Sequence, residues 1–177
     1  ELAAAIFHDA GFVVLPNAVD LELCNELLEV CRQEEREMLR RDPSEDGNRG
    51  AGRYSLGEAQ KTGHLLHHSA WAKLVDLPKV TPVLQHIFGE ADYLCAGAGG
   101  DFVRAGVQRY QPLHVDLDFP GCQGGTADTV APVVTLNVAV EALTPWNGPT
   151  RIIPGTHCIK EGWTIESWKP PMEGEEP

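Results

Sequence analysis

The chain has 177 residues, enough for one domain that buries about 70% of the surface its unfolded form exposes, and 14 Lys and Arg against 26 Asp and Glu leave a formal net charge of −12. With no basic stripe, that balance argues against nucleic acid or an anionic membrane as a partner. Five cysteines without CxxC spacing suggest neither a disulfide framework nor a zinc ribbon, no apolar run is long enough to cross a bilayer, and Glu1-Leu2-Ala3 lacks a basic leader. The reading is an intracellular, cytoplasmic protein, with a removed targeting segment left open because no initiator Met is present; oligomeric state is not legible.

The first 90 or so residues read as helical. Residues 2–8 look like the end of a helix, Gly11 opens a short strand over 12–15, and Pro16 closes it. Asp20 suits the N-cap of a long helix, with Glu22 in its first turn, Leu23, Leu27, Val30 and Cys31 as an apolar stripe, and Arg40 and Arg41 at its end before Pro43. Residues 42–52 have the composition of a mobile surface loop. A strand over 53–56 then leads towards a pocket, and Lys61, His64, His67 and His68 cluster behind it. Three histidines there invite a zinc reading, but without a cysteine or a third spaced ligand, partly exposed histidines at a helix start are the commoner explanation. Ser69 starts a short helix through Trp71, and Thr81-Pro82 opens another that Gly89 ends.

After Gly89 the texture changes to strands between turns rich in Gly, Pro, Asn and Asp. Residues 93–98 and 102–110 read as strands around a turn at 97–101, and 111–119 as a central strand. A glycine-rich loop over 120–129 is suited to lie over a pocket mouth. Residues 131–141 form the strongest strand pattern, with Thr135, Asn137 and Ala139 on a small or polar parity, and 150–153 form a last short strand. Helices first and strands afterwards predict a mostly β fold: a double-stranded β-helix, or jelly roll, of cupin-like type with flanking N-terminal helices. The whole chain is one domain in this reading, helical over about 1–90, β over about 91–157 and with a polar tail over 158–177.

The central strand carries the chemistry. Pro112 pushes Gln111 out of the helical region, and His114, Asp116 and Asp118 then share one parity against Val115, Leu117 and Phe119. Residues two apart on a strand point the same way with Cα atoms about 6.5 to 7 Å apart, so an imidazole and a carboxylate can converge on one ion. With a second histidine from elsewhere they make the facial triad of non-haem iron oxygenases. His-x-Asp alone is weak, since a solvated strand face carries the same residues without any ion.

Three blocks raise it above chance: GFVVLP at 11–16, LHVD at 113–116 and NGPTRIIPGTH at 147–157, the last about thirty residues after the second. Together they resemble the phytanoyl-CoA dioxygenase family of Fe(II) and 2-oxoglutarate dependent oxygenases, over nearly the whole chain. The resemblance implies hydroxylation of a small organic substrate by O2, with 2-oxoglutarate as cosubstrate and release of succinate and CO2. It makes His114 and Asp116 two iron ligands, sets Asn137 and Lys61 against 2-oxoglutarate, and makes His157 a structural residue at a strand end. Asp118 is the runner-up carboxylate.

The resemblance also implies a second iron histidine and a 2-oxoglutarate-binding arginine after the PGTH block, and neither residue type occurs beyond His157. The expected jelly roll thus lacks its last strands, and the chain reads as part of a longer polypeptide or as a barrel completed by another segment. The alternatives are a catalytically silent jelly-roll module that binds a small ligand or partner, and a cupin-like metal isomerase or hydrolase.

Overall fold

Asp20 sets the first long element in place. Its carboxylate accepts the Leu23 amide at 2.7 Å, satisfying one of the donors left free at a helix start. The helix it caps, α2, runs Leu21–Arg41 in a computed structural model that describes residues 1–57, 65–108, 110–114, 116 and 133–157. Before it lies α1, Leu2–Ala10, and after it come the strand β1 (Arg53–Leu56), a 3-10 turn at Leu65–His67, the short helix α3 (Ser69–Ala72), a 3-10 turn at Lys73–Val75, α4 (Thr81–Phe88) and the strand β2 (Gly100–Val103). Gly89, at φ 74°, terminates α4 in the left-handed region that favours glycine.

The core gathers on the apolar stripe of α2. Leu23 and Leu27 meet Leu56 of β1, Leu65, Trp71 of α3, Leu77 and Val80, with Leu27, Leu56 and Leu65 almost wholly out of solvent. Each such leucine contributes about 1.5–3 kcal/mol relative to an exposed one. Trp71 therefore belongs to the core. Cys31 is half-buried beside this stripe, and burial followed by the negative charges of Glu141 and Glu34 raises its thiol pKa.

The mostly β jelly roll is not what forms. Among the described residues, helices dominate, and the sheet is a single antiparallel pair, β1 with β2, in the register Tyr54 opposite Phe102 and Leu56 opposite Gly100. The physical reason is that alternation specifies a face, whereas a ladder needs a partner for every N–H and C=O. Residues 134, 138 and 140 are half-buried and 133, 135, 137 and 139 exposed, with Val138 and Val140 packed on the core, yet no described residue of 133–141 pairs in a sheet. The same holds for 12–15, 93–98, the described part of 111–119, and 150–153.

Two local readings also change. Gly11 caps α1 at φ 82° and does not open a strand. Gly100 and Asp101 lie in β2 and not in a turn: a Cβ on Gly99 would stand 2.5 Å from the Leu56 carbonyl oxygen, so glycine here serves close backbone approach.

The 42–52 loop is organised around one carboxylate. Asp42 accepts the amides of Gly47 at 2.8 Å and Asp46 at 3.3 Å, the Ser44 hydroxyl at 3.3 Å and the Tyr54 hydroxyl at 2.8 Å. Asn48 meets both backbone groups of Ser55 at 2.8 Å, as a neighbouring strand would. Tyr54 in turn stacks on Phe102, with ring centroids 4.7 Å apart.

Candidate functional site

Pro112 does more than straighten the chain. Its carbonyl accepts from His114 Nδ1 at 2.7 Å, and because a carbonyl cannot donate, the imidazole proton sits on Nδ1. Nε2 then faces Asp116 Oδ1 at 3.4 Å. In a neutral ring Nε2 carries a lone pair, so two acceptors confront each other, and that contact becomes favourable only when a proton or a cation lies between them. Both side chains are open to solvent, at 51% and 79% exposure, so either can arrive.

The spacing fits a metal. Two ligands each about 2.0–2.2 Å from one ion lie about 3.0 Å apart at a right angle and about 3.4 Å apart at a tetrahedral angle. The arrangement also has the outer support that ligating histidines usually have, a second ring nitrogen tied to a carbonyl. Among the described residues no group of three His, Cys, Asp or Glu could hold an ion, so the pair could supply two positions at most and the described residues add no third.

The other expected site residues do not all lie among those described. Asn137 is exposed on the outer parity of 133–139 and makes no hydrogen bond to His114 or Asp116. Lys61, His64 and Asp118 lie outside the described residues. His67 and His68 stack with centroids 4.3 Å apart, and His68 Nε2 is 3.5 Å from Glu34 Oε1 of α2. His157 stands at no strand end, since 150–153 pairs in no sheet, but it ties two segments together: Nε2–H donates to the His8 carbonyl at 2.8 Å, and the Gly155 amide donates to the Ala10 carbonyl at 2.8 Å.

One neighbour of the pair escaped the sequence reading. Arg151, from the middle of NGPTRIIPGTH, donates from a terminal guanidinium nitrogen to the Gln111 carbonyl at 3.0 Å and lies 4.2 Å over the Tyr110 ring. The only available signal was a lone cation inside an otherwise neutral run.

The sequence model of the phytanoyl-CoA dioxygenase (PhyH) family matches residues 7–176. The chain belongs to that family. No curated protein and no solved structure matches it. Phytanoyl-CoA dioxygenase relatives are in general oxygenases dependent on Fe(II) and 2-oxoglutarate, which makes this chain a member of an oxidoreductase family acting with O2 on small molecules. Among the described residues no helix is long and apolar enough to cross a membrane.

Proposed function

We propose that the chain is an Fe(II) and 2-oxoglutarate dependent dioxygenase that hydroxylates a small organic substrate and releases succinate and CO2. The supporting observation is the His114 and Asp116 pair, two acceptors 3.4 Å apart with the imidazole proton committed to Pro112. In this reading His114 Nε2 and an Asp116 oxygen hold two positions of the iron. Bound iron with its cosubstrate supplies the oxidising chemistry that no side chain can. His114 contributes a neutral donor whose ring is kept from turning away, and Asp116 offsets part of the ion's charge. Lys61 would offer an ammonium to a 2-oxoglutarate carboxylate, and Asn137 an amide to the same molecule.

The experiment is succinate release from 2-oxoglutarate with Fe(II) and O2, alongside calorimetric titration of Mn(II). Both signals are expected in the unaltered chain, and both are lost in His114→Ala and Asp116→Ala. Unchanged Mn(II) affinity in His114→Ala defeats the ligand assignment. Metal binding indifferent to 2-oxoglutarate replaces the reading with an isomerase or hydrolase, and binding of neither replaces it with a silent ligand-binding module.

A further inference from the structure

We propose that Arg151 is a positioning residue for His114, an inference that rests on the metal reading above for its purpose but not for its geometry. Among the described residues, the stretch 110–116 makes no backbone hydrogen bond to another segment. Arg151 reaches this stretch from another segment at two adjacent residues. The guanidinium covers the Tyr110 ring at 4.2 Å and donates to the Gln111 carbonyl at 3.0 Å, across 40 positions of sequence.

The effect travels through covalent geometry. The Gln111 carbonyl lies in the same planar unit as the nitrogen and Cα of Pro112, so holding that oxygen holds the plane. The proline ring locks the next dihedral near −65°. A single soft rotation, ψ of Pro112, then separates the held plane from the carbonyl on which His114 Nδ1 rests at 2.7 Å. Arg151 thus restricts the imidazole's tautomer and aim without touching it.

Arg151 itself stands on a fixed base. Upstream, the Asn147 side chain accepts the Thr144 amide at 2.9 Å and donates to the Ala142 carbonyl at 2.8 Å, and Gly148 turns at φ 73°. Downstream, Gly155 and His157 are tied to Ala10 and His8 of α1. A planar fork can stack on a ring and donate in its own plane at the same time, which a lysine ammonium cannot.

The test is made on the full chain. In the metal-free protein at about pH 8, above the ordinary histidine pKa, nitrogen-resolved NMR of the His114 ring is expected to show the Nδ1-protonated tautomer. In Arg151→Met that ratio shifts towards the mixture of a free imidazole. Mn(II) affinity is expected to fall about 10-fold, the low end for loss of an outer support, while the melting midpoint stays put because Arg151 is exposed. Tyr110→Leu moves both readouts in the same direction by less, and Arg151→Lys restores them in part.

An Arg151→Met chain with an unchanged tautomer ratio and unchanged Mn(II) affinity overturns the proposal while leaving the metal reading intact. A loss of affinity that merely tracks a fallen melting midpoint also overturns it, since the residue is then structural. If the tautomer shifts but the unaltered chain binds no Mn(II) through His114, the positioning stands and the metal reading fails.

Discussion

His157 and the His8 carbonyl, 149 positions apart, meet at 2.8 Å and join the end of the NGPTRIIPGTH run to the last turn of α1. The ring packs where a side chain on Gly11 would have to go, and Gly11 already holds φ 82° to end that helix. Gly11→Ala therefore faces both a left-handed backbone and an occupied space. It should destabilise by more than about 1 kcal/mol, and His157→Ala by about 1 kcal/mol through one lost hydrogen bond. Denaturant unfolding measures both. His157 also anchors the run that carries Arg151, so Mn(II) affinity of the folded His157→Ala chain should fall by no more than in Arg151→Met; a larger selective loss would make His157 part of the site.

A second prediction concerns pH. The Gly47 amide first, and the Tyr54 hydroxyl next, hold the Asp42 carboxyl below its usual range. A depressed acid contributes stability that is present above its unfolded pKa near 3.9 and is lost as pH falls through the folded value. Asp42→Asn should thus melt lower than the unaltered chain at pH 7, with the gap closing below about pH 4. The other partner works at the opposite end: burial, then Asp42, pushes the Tyr54 phenol up to about 12. A raised group contributes below its unfolded pKa, about 10, and that contribution is lost as pH rises through the folded value, so Tyr54→Phe should remove the alkaline loss. Melting curves across pH settle both, and a gap for Asp42→Asn that is constant from pH 3 to 7 would mean the carboxylate is idle.

What the sequence made legible was the part decided locally. Asp20, the stripe at 23, 27, 30 and 31, the two arginines and Gly89 each act within a turn or two of helix, and α2 and α4 formed where those signals lay. The strand half was overread because period-two alternation encodes which side chains are apolar, and does so faithfully at 134, 138 and 140, without encoding a partner. The glycines between 97 and 100 read as a turn, because close backbone approach, their actual use at Gly99, depends on Leu56 lying across from them. At the candidate site, His114 and Asp116 were read as neighbours on a strand, and they face each other although no described residue of 111–119 pairs in a sheet. The Pro112 carbonyl and the Arg151 fork were not legible, because one is a backbone group and the other arrives from 40 residues away.

The close approach at Gly99 yields a third prediction. A methyl group there would stand 2.5 Å from the Leu56 carbonyl oxygen, against unyielding backbone on both sides. Gly99→Ala must push β2 away from β1, disturbing the Tyr54 and Phe102 stack as well as the ladder. The cost should be about 1–3 kcal/mol, as for other overpacked sites. Hydrogen exchange at the amides of residues 53–56 should accelerate by more than exchange within α2, and equal acceleration in both would show a global effect instead of a local one.

Thermal shift gives the last prediction, and it separates stability from ligation at the metal pair. His114 and Asp116 are too exposed for their contact to add much to folding, since pairs of this kind are worth about 0–1 kcal/mol. Asp116→Ala should therefore melt within a degree or so of the unaltered chain when no metal is added, in line with surface substitutions of about 0.5 kcal/mol or less. Adding Mn(II) changes the comparison. An ion bound only by the folded chain stabilises it by about 2.7 kcal/mol at 100 times its dissociation constant, and Asp116→Ala removes one of the two proposed ligands. The unaltered chain should then rise in melting midpoint with Mn(II) while Asp116→Ala stays where it was. Mg2+ at the same concentration controls for nonspecific charge screening on a chain of net charge −12, because it prefers an all-oxygen octahedral shell to an imidazole. An equal rise in both proteins would place the bound ion elsewhere.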